Sequence, residues 1–140
     1  MTSTAPAIDL DKLSGILRSV VAPWVAELDL QLLQAQRGEV VLALPVAPRH
    51  VHGGGVLCGQ AMMAAADTAM VLAVSSQLGG FKPMTTVSLT TSFMRPVQGT
   101  ELRVVARVLK PGRTLMFGEV ELLAPDGRLA AHATTTYALV

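Results

Sequence analysis

The chain has 140 residues, 51% hydrophobic and 15% charged, with a net charge of +1 and one cysteine. Mean hydropathy is +0.48. These values exclude a disordered chain, which needs low hydrophobicity and high net charge. They also speak against a nucleic-acid partner, since no basic stripe exists to meet phosphates. The length fits one domain over residues 1–140, able to bury a core without staples. A chain this apolar raises the question of a membrane. Its longest apolar stretch, Ala61 to Val74, contains Asp67 and Thr68, and a run of about 10–14 residues is core-helix length, not the about 20 of a span. The opening MTSTAPAIDLDKL has no basic region before an apolar block, so no signal peptide is read there. A lone Cys58 cannot form an internal disulfide, and a cytoplasmic location with no membrane partner is expected. The sparse charge points instead to apolar surface hidden by self-association.

In chain order, residues 1–28 are expected to form an N-terminal helical segment. Ile8, Leu13, Ile16, Leu17 and Val20 recur at helical spacing, and Pro23 ends or kinks it. Residues 29–46 change to strand character, with Arg37-Gly38 as the turn of a hairpin. PRHVHGGGVLCG is too glycine-rich for either element and reads as a loop. The spacing then predicts a helix over 60–77, stopped by Gly79-Gly80. Strands are expected at 84–94, 101–109, 115–124 and 128–139, with Pro111-Gly112 and Pro125-Asp126-Gly127 turning the chain between them. Two strands, one long helix and four strands imply an α+β fold, an antiparallel sheet packed on a helix.

The helix GQAMMAAADTAMVLAVSS is apolar nearly all round, the pattern of a buried helix. Its polar exceptions Gln60, Asp67, Thr68 and Ser75 fall in one stripe about 100° wide, expected to be the helix's polar edge. A carboxylate in that setting is costly unless paired. Asp67 is therefore either a structural residue bonded to backbone or a threonine, or a group for acid–base chemistry. Gly59 opens the helix. Helix N-termini offer free N–H groups and partial positive charge, and glycine lets a ligand come close, which suits an oxyanion hole. The plainer reading is that Gly59 merely starts the helix.

Eight residues separate Gly59 from Asp67, about 12 Å along a helix axis. One carbonyl cannot lie about 3 Å from both. If both act on one carbonyl, they come from two copies of the helix, as in a symmetric dimer with antiparallel helices and two equivalent sites.

Other constellations are weaker. His50, His52 and Cys58 have a spacing that matches no standard structural zinc site and lack a fourth ligand, so no metal is expected. Cys58 beside a histidine could be a nucleophilic pair, or simply a small buried apolar side chain. His132 reads as a satisfied mid-strand residue. Gly53-Gly54-Gly55 is not followed by the Gly-Lys-Ser/Thr of a phosphate loop.

Four segments in order, HGGGVLCGQAMMAAADTAM, TTVSLTTSFMRPV, LKPGRTL and LAAHATTTYAL, resemble the PaaI-like branch of the hotdog-fold thioesterases over about residues 39–139. The resemblance implies a hotdog fold, an antiparallel β-sheet wrapped around a central long α-helix, assembled as a homodimer or dimer of dimers. It implies hydrolysis of an acyl-CoA thioester to free acid and coenzyme A, with no cofactor beyond the coenzyme A of the substrate. The family's motif is Asn or Gln, then Gly, then His-Gly-Gly, with an acid eight residues after the first Gly of that His-Gly-Gly. Counting back from Asp67 puts that Gly at Gly59, the His position at Cys58, the second Gly at Gln60, the earlier Gly at Gly55 and the Asn/Gln position at His52. Reading His52-Gly53-Gly54 as the motif would leave Asp67 fourteen residues past Gly53 and break the spacing. The sequence thus departs from the family at Cys58 and His52.

The roles implied by the resemblance are an oxyanion donor at the Gly59 N–H, a base or nucleophile at Asp67 of the partner subunit, a water-holding hydroxyl at Thr86 (Thr85 is the neighbouring choice) and a thioester-positioning group at His52. Gly55, Cys58 and Gln60 would line the substrate. Arg113 and Thr114 would meet the coenzyme A nucleotide, where a basic residue beside a hydroxyl suits a phosphate. Two other readings stand beside this one: a hotdog hydratase or dehydratase, and an acyl-CoA-binding module without turnover.

Overall fold

The computed structural model describes residues 9–140. Ile8, the first residue of the predicted N-terminal stripe, lies outside the described residues, as do residues 1–7 of the predicted helical segment. α1 spans Leu10–Val20, begins with the Asp9 carboxylate accepting from the Asp11 N–H at 2.9 Å, and buries Leu13 and Ile16. Pro23 separates the segment into two helices. It opens α2 (Pro23–Ala26) at a first-turn position where the missing N–H costs nothing.

β1 (Gln31–Gln36) and β2 (Glu39–Pro45) form the predicted hairpin. Its turn needs Gly38, at φ +78°. A single 3₁₀ turn at Pro48–His50 and the glycine-rich loop lead into α3 (Gly59–Leu78), one residue longer at each end than predicted. Gly79, left-handed at φ 78°, ends it as a glycine C-cap. β3 (Met84–Phe93), β4 (Glu101–Pro111), β5 (Leu115–Leu123) and β6 (Leu129–Leu139) complete one sheet in the order β1-β2-β4-β5-β6-β3, antiparallel throughout. The sheet wraps α3, so β3 and β1 are its two edges.

α3 is buried because alanines let the sheet close on it. Ala65, Ala66, Ala69 and Ala73 are fully buried beside Met70, Leu72 and Val74, within one core that includes Leu42, Val104 and Val120. By length and hydropathy α3 could cross a membrane, but 67% of its most apolar window is buried inside this fold.

The predicted polar edge of α3 does not exist as one edge. Thr68 and Ser75 are buried in the core, and only Gln60 and Asp67 keep access to solvent. Thr68 enters the core because its hydroxyl donates to the Ala64 carbonyl of its own helix, at 2.8 Å. Ser76, outside the predicted stripe, is also buried. Its hydroxyl donates to the Ala73 carbonyl and accepts from the Gly38 N–H at 2.9 Å, tying the first hairpin to the end of α3.

The outer sheet face carries charge across strands. Arg107 on β4 meets Glu39 on β2 and Glu121 on β5, while His132 on β6 lies 2.9 Å from Glu119, so His132 is a satisfied strand residue.

Gly118 in β5 is where the helix presses hardest on the sheet. A Cβ there would collide with the tip of Met70 and lie 2.7 Å from the Arg107 main-chain carbonyl. The methionine tip can turn aside, but the carbonyl is held in the β4–β5 ladder. Gly118→Ala is expected to cost about 1–3 kcal/mol, read as a lower urea midpoint at unchanged m-value.

Candidate active site

The loop before α3 is built to present its N-terminus. Leu57 donates to the Val97 carbonyl at 3.0 Å and Cys58 to the His50 carbonyl at 2.8 Å. A tight turn runs over 52–55, with the Gly55 N–H on the His52 carbonyl and Gly55 at φ +83°. Cys58 is the N-cap residue and makes no side-chain capping bond. Among the described residues, nothing accepts the main-chain N–H groups of Gly59, Gln60 or Ala61, leaving the donors a helix N-terminus offers to a ligand. A Cβ at Gly59 would come within 3.3 Å of the Phe93 ring, which is half-exposed and would have to give by only a few tenths of an ångström. An open cavity of ≈ 310 Å³ adjoins it, lined by Gly59, Met62, Phe93, Met94 and Arg95 among others.

His52 is exposed, and its Nδ1 accepts the Gly54 N–H at 2.8 Å. A neutral ring with Nδ1 accepting carries its proton on Nε2, which makes that nitrogen a donor. Cys58 and Gln60 line a different recess, of ≈ 240 Å³, with Trp24, Leu28 and His50.

Two helical turns on, Asp67 is half-buried and held from the sheet. The Thr86 hydroxyl on β3 donates to Asp67 Oδ1 at 2.9 Å. The Tyr137 hydroxyl on β6 also bonds Oδ1, and lies 2.7 Å from the main-chain carbonyl of Asp67. Thr86 and Tyr137 are direct cross-strand partners, so both side chains leave the sheet on the face that meets α3. A register shift between Thr86 and Ser88 sets this orientation. It makes Val87 an extra residue and brings Thr86, not Thr85, onto the inner face. Tyr137 is 2% exposed. Burial first, then the Asp67 carboxylate beside it, push the phenol well above its ordinary value, and a hydrogen bond with Thr86 pulls weakly the other way.

The predicted residues therefore fall into two groups on one helix. His52, Gly55, Cys58, Gly59 and Gln60 gather at its start, and Asp67 and Thr86 gather at its middle. Arg113 and Thr114 are exposed in the β4–β5 turn. They belong to the Asp67 end, because the Thr114 carbonyl accepts from Leu139, two residues past Tyr137. Among the described residues, no group of three or more His, Cys, Asp or Glu side chains is placed to hold a metal ion. Sequence reasoning did not single out Tyr137 for the site. Its signal was the period-2 alternation of β6, which puts Ala133, Thr135 and Tyr137 inward, and an inward tyrosine needs a partner for its hydroxyl.

One long helix wrapped by an antiparallel sheet is the hotdog class of fold, here carrying free N–H groups at the helix start and a mid-helix carboxylate. Residues 50–131 match the thioesterase superfamily. Human acyl-coenzyme A thioesterase 13 is 28% identical over 109 residues, 76% of this chain and 77% of the relative. The structure of a conserved protein from Pseudomonas aeruginosa aligns with a TM-score of 0.81 at 30% identity, over 88% of this chain and 98% of that one. A mutant of the phenylacetic acid degradation protein PaaI from Thermus thermophilus aligns at 0.76 and 26% identity, over 85% and 100% of the two chains. The chain belongs to the thioesterase superfamily, in its PaaI-like, hotdog-fold form.

The shift of Tyr137 has a signed consequence for stability. Unfolding returns the phenol to an ordinary value of 10.0. The fold favours the neutral phenol, so this contribution is complete below that pH and is lost as pH rises past it. The stability advantage of wild type over Tyr137→Phe should shrink above about pH 10, with a slope approaching ~1.4 kcal/mol per pH unit. Urea unfolding of both proteins across that range measures it, and lysine titration cancels in the difference.

Proposed function

We propose that the chain hydrolyses acyl-CoA thioesters at two equivalent sites of a homodimer, each combining the α3 N-terminus of one protomer with Asp67 of the other. The observation that carries this reading is the placement of free N–H donors and a hydroxyl-bound carboxylate on one straight helix, eight residues apart. That spacing is about 12 Å, too far for one carbonyl. A second copy removes the difficulty.

The outer edge of β3 has no strand beside it among the described residues, and an open edge is a template for pairing. Val87, Phe93 and Met94 are exposed along it, at 59%, 50% and 52%. Phe93 marks the Gly59 end of this strand and Thr86 the Asp67 end. Antiparallel pairing of β3 with its own copy about a two-fold axis would set the Gly59 end of one protomer beside the Asp67 end of the other.

In this reading the Gly59 N–H polarises the thioester carbonyl, and His52 donates from Nε2 to position it. Gly55 shapes the turn that leads to the helix start, Cys58 and Gln60 line the adjoining recess, and Arg113 and Thr114 receive the nucleotide phosphates. Asp67 takes a proton from a water held by Thr86, whose oxygen bonds to the carbonyl carbon as the carbon–sulfur bond breaks, and the proton passes to the departing thiolate. Direct attack by the carboxylate is the variant of the same step.

Asp67→Asn should lower thiol release from acyl-CoA by about 10²- to 10⁴-fold with the dimer intact. Gly59→Pro deletes one N–H at a position where helices accept proline, after a Cys58 already at φ −72° and ψ 148°, and should cost about 10²- to 10³-fold. Mixing the two inactive chains should restore roughly a quarter of wild-type activity, since half the dimers then hold one complete site. Near wild-type turnover in Asp67→Asn, or no recovery on mixing, would sink the reading.

A further inference from the structure

We infer that Tyr137 is a positioning residue that, with Thr86, locks Oδ1 of Asp67 and leaves Oδ2 as the carboxylate oxygen free to react. This rests on the reading above, in which Asp67 is the reacting group. Both hydroxyls converge on Oδ1, while Oδ2 has no partner among the described residues. A carboxylate on a half-exposed helix position would otherwise sample several rotamers. Tyr137 removes that freedom because its hydroxyl meets the side chain and the main-chain carbonyl of the same residue.

The two hydroxyls are not equivalent. Thr86 sits on the edge strand and is exposed, whereas Tyr137 is buried on a strand paired on both sides, with Thr86 and with Met116. Tyr137 is thus the fixed anchor, and Thr86 keeps lone pairs for water.

Tyr137→Phe keeps the ring and removes the donor. It should lower kcat by about 10- to 100-fold, the effect of a misplaced reacting group, while KM stays within about twofold and the dimer persists. In an Asp67→Asn background the same change should add nothing, because the residue acts through Asp67. An unchanged kcat in Tyr137→Phe, or an equal further loss in the Asp67→Asn background, overturns the proposal. If Asp67→Asn itself retains activity, the reading it rests on has failed instead. Should Tyr137→Phe not fold, the wild-type chain offers a second measurement, since it has one tyrosine. Labelled with 3-fluorotyrosine, it gives a single ¹⁹F resonance, which should move in Asp67→Asn and stay in place in Thr114→Ala. A resonance that Asp67→Asn leaves unmoved also overturns the proposal.

Discussion

A straight α-helix advances about 1.5 Å per residue and keeps its two ends apart, and this governs what α3 can do. The helix carries free N–H donors at Gly59 and a carboxylate at Asp67. Neither can slide toward the other, because Met62, Ala65 and Ala66 between them are buried in the core. The same close packing that gives the fold its core therefore holds two chemically complementary groups out of each other's reach. Any chemistry that needs both on one atom must bring a second helix alongside, and the open edge at β3 is where the sheet can take a neighbour.

Within that frame, Asp67 is a carboxylate against an apolar helix and sheet, and its cost is offset by convergence. Three elements meet at one oxygen: α3, the next element β3 through Thr86, and β6, 70 residues on, through Tyr137. The convergence depends on one extra residue in β3. Leu89 lies opposite Thr135 and faces the core. Strict alternation back from Leu89 would turn Val87 and Thr85 inward and Thr86 outward. The shift at Val87 reverses that order, places Thr86 opposite Tyr137 and pushes Val87 out, where it is 59% exposed. A single irregularity thus supplies a hydroxyl to the carboxylate and an apolar side chain to the free edge.

Much of the architecture was legible in the sequence because each element had local chemistry. The helix pattern from Gln60 to Gln77 and the left-handed stop at Gly79 fixed α3 to within a residue at each end, and the glycine and proline turns delimited the strands. The eight-residue gap between Gly59 and Asp67 was also readable, since it follows from counting. The polar stripe was not. Helical projection places Gln60, Asp67, Thr68 and Ser75 together, but Thr68 satisfies its hydroxyl within its own helix and so enters the core. Projection records direction and cannot record that a hydroxyl has found an internal acceptor. Tyr137 was missed for a related reason. Its partner lies 70 residues away, and cross-strand register decides contacts that no local period reveals.

The unusual composition then divides into two causes. Most of the apolar excess is consumed by a helix packed nearly all round, which needs apolar residues on faces that a surface helix would leave polar. Part of the remainder lies at the free edge, with Val87, Phe93 and Met94 exposed on or beside β3, while Trp24 and Leu109 are as exposed elsewhere. Scattered apolar residues are ordinary on a protein surface, whereas an open strand edge without guard residues is a liability that proteins usually blunt with charge or proline. Between Met84 and Phe93 the strand has no charged residue and no proline. An edge left unguarded in this way, at the strand that holds both Phe93 over Gly59 and Thr86 on Asp67, is consistent with pairing rather than exposure. Under the proposed reading, the low charge of the chain and the distance along its helix have one resolution: the surface that must be covered is also the surface across which the site becomes complete.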